Sequence, residues 1–408
     1  MKITLSELKG SSPGYYILLG SFALVAMVGL AAVWYMEHFG HIVTGMNNQI
    51  VWGMPHVFAV FLVVAASGAL NVASMASVFG KTEFKPLAPM SGMLAIALLL
   101  GGLTVLMLDL GRPDRLIVAM TYYNFKSIFA LNIFLYSGFM GFVIVYLWTM
   151  MERRMNQFTP VAGLFAFIWR MALTTGTGSI FGFLVARQAY DSALLAPLFI
   201  ALSFSYGLAV FLLVLMWAGM GSGRRISNLM MARFARLQII FIAAGLYFVL
   251  IYYLTNFYFT RHHGFVRFIL LDGGIYTALF WLGPILLGAV LPIILLLHPR
   301  IAEMPKRVAA CAGMVIAGGF AQMYVTIVGG QAFPLILFPG REVTSTFYDG
   351  MVNSYSPALP EWLLGFGGIA IVGIIVMISL KVLGFIPENL ASEDDASTLH
   401  GHATAKQS

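Results

Sequence analysis

Ten apolar runs, each about twenty residues long and separated by polar segments, set the limits on how this chain can fold. They extend approximately over Tyr15–Tyr35, Pro55–Gly80, Leu87–Leu110, Ile128–Met151, Val161–Ala186, Leu194–Ala218, Leu237–Phe257, Ile275–Leu297, Val308–Gln331 and Trp362–Leu383. About twenty apolar residues in a helix cross the hydrocarbon layer of a bilayer. In that layer every backbone N–H and C=O must be satisfied inside the protein, which leaves helices or a closed barrel. Barrel strands alternate in polarity with period two, and these runs do not. The chain is therefore expected to be an all-α integral membrane protein of about ten transmembrane helices over residues 1–386, followed by a disordered polar tail over 387–408. Composition agrees: 10% of residues are charged, against about 25% in a soluble domain. Spans two to five and six to nine are candidates for two related four-helix bundles with two peripheral helices, although no repeat in the residues establishes the relation.

The formal charge of +7 does not point to nucleic acid in so apolar a chain. Lys and Arg divide fifteen to seven between the two sets of loops, with Arg170 inside a span, which accounts for all 23. The richer side is cytoplasmic by the positive-inside rule, so both termini are expected there and the loop before His56 faces outward. The single cysteine, Cys311, excludes an internal disulfide, a Cys-ligated iron–sulfur cluster and a CxxCH haem attachment. Of eight histidines only His56 clearly lies within a span, which argues against intrinsic haem. HExxH, CxxC and Walker patterns are absent from the sequence. No small-residue cleavage site clearly follows the first run, which reads as a retained span.

Titratable residues gather toward the outer face. Gln49-Ile50-Val51-Trp52-Gly53-Met54-Pro55-His56 ends a polar loop and opens the second span. Proline suits the first helical positions, where its missing N–H would go unpaired anyway, and an imidazole in the first turn of a membrane helix needs a partner. Asp109 precedes Gly111-Arg112-Pro113 at the end of the third span, where the helix dipole disfavours a carboxylate. It reads in two ways: as an interfacial salt bridge with Arg112 and Arg115, or as a proton-exchanging carboxylate beside His56. Tyr122-Tyr123-Asn124-Phe125-Lys126-Ser127 opens the fourth span; tyrosines are ordinary in an interfacial belt, Asn124 and Lys126 less so. Arg187 and Asp191 are candidates to pair with each other. Arg170 must face the bundle interior, either on a proton path or bound to backbone carbonyls. The outer loops 36–54 and 332–361 either receive a partner or simply cover helix ends. A bundle with His, Asp, Arg, Tyr and Asn on one face and no redox centre of its own suits a quinone headgroup. Two carbonyl oxygens need hydrogen bonds, and two protons move with two electrons.

Val51-Trp52-Gly53-Met54-Pro55-His56, Ala66-Ser67-Gly68-Ala69-Leu70, Asp109-Leu110-Gly111-Arg112-Pro113 and Ala193-Leu194-Leu195-Ala196-Pro197-Leu198-Phe199 resemble the NrfD/polysulfide-reductase membrane-subunit family across nearly all spans. The length is similar to the ten-span branch. Residues 45–56 with 120–127 are most similar to the DsrP-type subunits of Dsr sulfur-metabolism complexes. The resemblance implies a haem-free subunit in a bacterial or archaeal cytoplasmic membrane, binding menaquinone or ubiquinone. It implies electron exchange with a periplasmic ferredoxin-like iron–sulfur subunit of the DsrO/NrfC type, within a larger redox complex rather than an enzyme alone. By that analogy His56 is the headgroup ligand and Asp109 the proton-handling carboxylate, with Arg112, Tyr123 and Asn124 as further candidates; no metal site is implied. The competing classes are a secondary transporter, with which Arg170 and the glycine-rich spans are compatible, and a passive anchor without a quinone site.

Overall fold

The computed structural model describes residues 5–8, 10–222, 227–302, 304–335 and 351–387. Among them are ten helices long and apolar enough to cross a membrane: α1 Pro13–Phe39, α2 Met54–Ser77, α3 Thr82–Leu108, α4 Ile128–Met151, α5 Arg153–Gly182, α6 Leu195–Gly221, α7 Asn228–Tyr258, α8 Ile275–Leu297, α9 Pro305–Ala332 and α10 Leu359–Val382. The chain is an all-α, multi-pass integral membrane protein. Two boundaries read from hydropathy, those of α4 and α8, coincide with the observed helices. The largest departure is α7, which begins at Asn228 rather than near Leu237. Met231, Phe234 and Ala235 are buried in this added stretch, while Arg233 lies 3.9 Å from Glu83. Tertiary packing thus carries the helix through a segment whose charges mask it from a hydropathy window.

The packing order explains where a site can form. Helices α2 to α5 form one group and α6 to α9 a second, with α1 and α10 paired together against α3. Helix α2 is the hub, packing on α3, α5, α6, α9 and α10; 94% of its most apolar window is buried, against 17% for α1. The two groups meet where α2 crosses α6. A Cβ added to Gly68 would stand 1.6 Å from the Ser203 carbonyl oxygen, so only glycine permits this backbone approach, the usual device for helix contact in lipid. At the opposite end from His56, Leu5–Ser6 (β1) pairs antiparallel with Ile386–Pro387 (β2). Both ends of the described chain therefore lie on one face. Pro387, the first residue of the expected tail, belongs to this pairing, and residues 388–408 lie outside the described residues.

Helix α2 bends at Leu70, between segments Met54–Ala69 and Asn71–Ser77. Ser91 causes it: its hydroxyl donates to Ala69 O (2.7 Å) and accepts from Ala73 N (3.1 Å), replacing part of the helical ladder. Arg170 sits one turn before the bend. Its Nη1 donates to Ser67 O (2.9 Å) and to Asn71 Oδ1 (2.5 Å), and its guanidinium lies 5.0 and 5.1 Å from the ring centres of Phe167 and Phe204. Arg170 makes no ion pair among the described residues. Its charge is held by carbonyl dipoles and ring faces, the carbonyl-binding alternative of the sequence reading.

Candidate functional site

The loop that delivers His56 is fixed before α2 begins. Gln331, buried at the end of α9, accepts from Val51 N and Trp52 N with its side-chain oxygen, both at 3.0 Å. Its amide nitrogen donates to Trp52 O at 2.9 Å. One glutamine therefore satisfies three backbone groups that a loop under cover would otherwise leave unpaired. Arg187 adds a second clamp, donating to Gln49 O (2.8 Å) and Gln331 O (3.1 Å). Burial lowers the guanidinium's proton affinity from its ordinary value. Arg187 does not pair with Asp191, whose carboxylate lies 3.9 Å from His262 Nε2 instead. Pro55 then occupies the first helical turn, as expected.

His56 and Asp109 meet. His56 Nδ1 is 2.7 Å from Asp109 Oδ2, with 16% of the His56 side chain and 1% of the Asp109 side chain exposed. The angles fall short of a well-aligned hydrogen bond, and neither carboxylate oxygen has another hydrogen-bond partner among the described residues. Asp109 caps the C-terminus of α3, and Gly111, at φ +68°, turns the chain in the left-handed conformation that commonly ends a helix. A carboxylate at the negative end of a helix, out of water, is costly unless a cation or proton comes to it. The nearest basic nitrogen supplied by the fold is the imidazole.

The rest of the imidazole faces an aromatic wall. The Trp52 ring lies 6.0 Å from that of His56, tilted by 26°, and itself contacts Phe129, Phe181 and Tyr190. Phe129 is partly exposed. Tyr190 is tied down by donating to Ile327 O at 2.5 Å, and burial raises its pKa well above that of an ordinary phenol. His56 Nε2 makes no hydrogen bond among the described residues. A flat aromatic ring with an oxygen to hydrogen-bond would find here a stacking surface and a ring nitrogen together.

Of the five residues expected in the site, the structure brings together His56 and Asp109. Arg112 lies in an exposed pair with Asp114, at 3.3 Å, and lowers that carboxyl's pKa. The salt bridge to Arg112 and Arg115, one of the two readings of Asp109, is not formed among the described residues. Tyr123 packs on Phe125 and Phe134, and the Asn124 side chain accepts from Lys126 N in an exposed turn. Neither makes a hydrogen bond to His56 or Asp109. His41 was not anticipated: its buried Nε2 has no hydrogen-bond partner among the described residues and would stand 3.2 Å from a Cβ at Gly111, so its ring lies against the Asp109 turn. Sixty-eight residues separate it from Asp109, and nothing in its own loop signals the contact. Among the described residues no three or more His, Cys, Asp or Glu are grouped to hold a metal ion.

The family model described as "Polysulphide reductase, NrfD" matches residues 42–335, a stretch that holds His56, Asp109, Arg170, Arg187 and Gln331. The Hdr-like menaquinol oxidoreductase integral membrane subunit of Archaeoglobus fulgidus is 29% identical over 401 residues, covering 96% of this chain and 99% of that protein. The polysulfide reductase C polypeptide of Wolinella succinogenes is 27% identical over 70% of this chain and 96% of its own length. The selenate reductase C polypeptide of Mesobacillus selenatarsenatis is 21% identical, covering 88% of this chain and 92% of its own length. With the family model spanning well over half of its length, and with ten membrane helices organised around the span that carries His56, the chain belongs to the NrfD polysulphide reductase family of membrane subunits.

Proposed function

We propose that the chain is the quinone-interacting subunit of a membrane redox complex, and that His56 and Asp109 form the headgroup site. The observation that carries this reading is the 2.7 Å contact between His56 Nδ1 and a carboxylate that is 1% exposed. A carboxylate against Nδ1 favours the tautomer with its proton on that nitrogen, which leaves the Nε2 lone pair free to accept a hydrogen bond. A quinol hydroxyl donates to Nε2, and the proton passes to the imidazole as the electrons leave. Oxidation of one quinol to quinone releases two electrons and two protons; the first proton leaves the imidazole through its exposed edge, and the second follows by the same route once Nε2 is free again. The electrons go to a partner's centre, since this chain is proposed to hold none. Asp109 balances the charge of the imidazolium while it exists. Arg112, Tyr123 and Asn124 have no assigned role in this step.

The finer assignments rest on charge and on the relatives. The excess of Lys and Arg on the side of the termini supports an outward-facing site with both termini cytoplasmic, and hence a periplasmic ferredoxin-like iron–sulfur partner. The name of the archaeal relative, a menaquinol oxidoreductase subunit, supports menaquinone over ubiquinone. A relative named for polysulfide reduction, with the DsrP-like residues 45–56 and 120–127, supports a place in sulfur-compound metabolism. The test is His56→Ala in the assembled complex. Quinol-linked reduction of the partner's clusters should be lost while the subunits still co-purify. Turnover at the wild-type rate would remove His56 from the site.

A further inference from the structure

Glu361 is the most deeply buried acid among the described residues, with no exposed surface. It stands in the first turn of α10, on the same face of the molecule as His56 and beyond the residues that the family model matches. Its carboxylate is fully engaged. Oε1 accepts from the Tyr355 hydroxyl at 2.5 Å, and Oε2 accepts from Gly45 N at 2.8 Å and Ala358 N at 2.6 Å. The Tyr355 hydroxyl in turn accepts from Met54 N at 2.6 Å. Burial first, and the charge of Glu361 second, push the Tyr355 phenol well above its ordinary range, so it keeps its proton and donates.

Met54 N is one of the helix-start amides that have no partner within their own helix, and α2 has no side-chain cap of its own, because its N-cap is Gly53. Tyr355 supplies that cap from another part of the chain, and Glu361 orients Tyr355. Gly53 leaves the room for it: an added Cβ would stand 2.5 Å from Glu361 Oε1 and 2.6 Å from the Tyr355 hydroxyl. The plainer role, an acid that satisfies only the start of its own helix, accounts for a single donor, Ala358 N. The other two donors come from the loop after α1 and from the tyrosine that caps the helix carrying His56.

We propose that Glu361, acting through Tyr355, is a positioning residue for His56, fixing the first turn of α2 so that Nε2 meets the quinol. The inference rests on His56 being the headgroup ligand. Displacement of a reacting group by about 1 Å can cost a hundredfold in rate, whereas loss of one cap alone is a matter of stability.

The test uses the complete complex with menadiol, the reduced form of 2-methyl-1,4-naphthoquinone, as electron donor, and compares Tyr355→Phe, Glu361→Gln and His56→Ala. Turnover is expressed per assembled complex. Tyr355→Phe and Glu361→Gln should lower kcat at least about tenfold while KM for menadiol stays within about threefold, because geometry is lost in the reacting state and apolar binding is not. Normal kcat in whatever complex assembles would show a purely structural network and overturn the inference, even if the yield falls. If Glu361→Gln does not assemble, Tyr355→Phe decides alone, since it removes one hydroxyl and leaves the ring in place. Normal turnover in Tyr355→Phe beside an inactive His56→Ala overturns the positioning role only. Normal turnover in His56→Ala removes the site and the inference together.

Discussion

Replacing Asp109 with asparagine separates the two readings that its sequence position left open, turn-shaping salt bridge and proton-handling carboxylate. The carboxylate is 1% exposed, and among the described residues its one ionic contact is His56 Nδ1 at 2.7 Å. Asparagine keeps the volume and an acceptor oxygen but cannot balance an imidazolium. General acid–base groups contribute roughly 10²- to 10⁴-fold to rate, which corresponds to about 2.7–5.4 kcal/mol of barrier. Turnover with menadiol should therefore fall by that factor in Asp109→Asn. Folding should change little, because the substitution also removes the cost of burying an ionised group. His56→Ala is less clean, since it leaves the carboxylate buried beside an apolar side chain. The double variant His56→Ala/Asp109→Asn should regain the stability lost in His56→Ala without regaining activity. The assay is stopped-flow oxidation of menadiol by the assembled complex, with thermal unfolding of the same preparations. Turnover within about threefold of wild type in Asp109→Asn would refute the proton-handling role.

Three further outcomes follow from particular contacts. Arg112→Ala removes an exposed pair with Asp114, so menadiol turnover should change less than about threefold; a loss of the Asp109→Asn size would place Arg112 in the site after all. Asn71→Leu takes away a 2.5 Å acceptor from the buried Arg170 and should destabilise the protein by about 3 kcal/mol or more, whereas Asn71→Leu/Arg170→Met should recover most of that loss. Thermal unfolding in detergent reads both, and a double variant no better than Asn71→Leu would argue against a charge held by Asn71, a backbone carbonyl and ring faces without a counter-ion. Gly207→Ala puts a Cβ 2.0 Å from the Gly68 backbone, which should force α2 and α6 apart at a cost of about 2 kcal/mol or more; an unchanged unfolding temperature would contradict the crossing.

Much of the fold was legible because lipid simplifies the reading. An apolar run of the right length has almost no alternative to a helix, and even the division into two groups of four was open to a count of spans. The segment around Asn228 was missed because Arg233 and Arg236 interrupt the apolar pattern, although the buried face continues beneath them. The pairing of His56 with Asp109 was accessible for a different reason. Both residues are strange where they stand, an imidazole in the first turn of a span and a carboxylate at the wrong end of a helix. Consecutive spans that share a face bring such residues close. Gln331, Tyr355, Glu361 and His41 carry no comparable oddity. They lie in loops or at helix ends where polar residues are expected, and what makes them matter is contact with segments tens to hundreds of residues away.

His56 can serve two partners because its ring nitrogens diverge. The sequence poses a choice between a quinone oxygen and Asp109, yet Nδ1 already faces the carboxylate while Nε2 has no hydrogen bond among the described residues. The carboxylate contact is what makes the second nitrogen useful, since it favours one tautomer and leaves one lone pair to offer. The fold supplies the remaining requirement, a fixed origin for the ring, from three directions. Gln331 and Arg187 hold the loop, Ser91 and Arg170 stabilise the bend farther along the same helix, and Tyr355 caps its first turn. Loss of the Gln331, Arg187 or Tyr355 contact, each made to the loop or first turn that carries the ring, should be felt at Nε2 before it is felt in assembly. That order would be hard to explain if α2 were only an anchor.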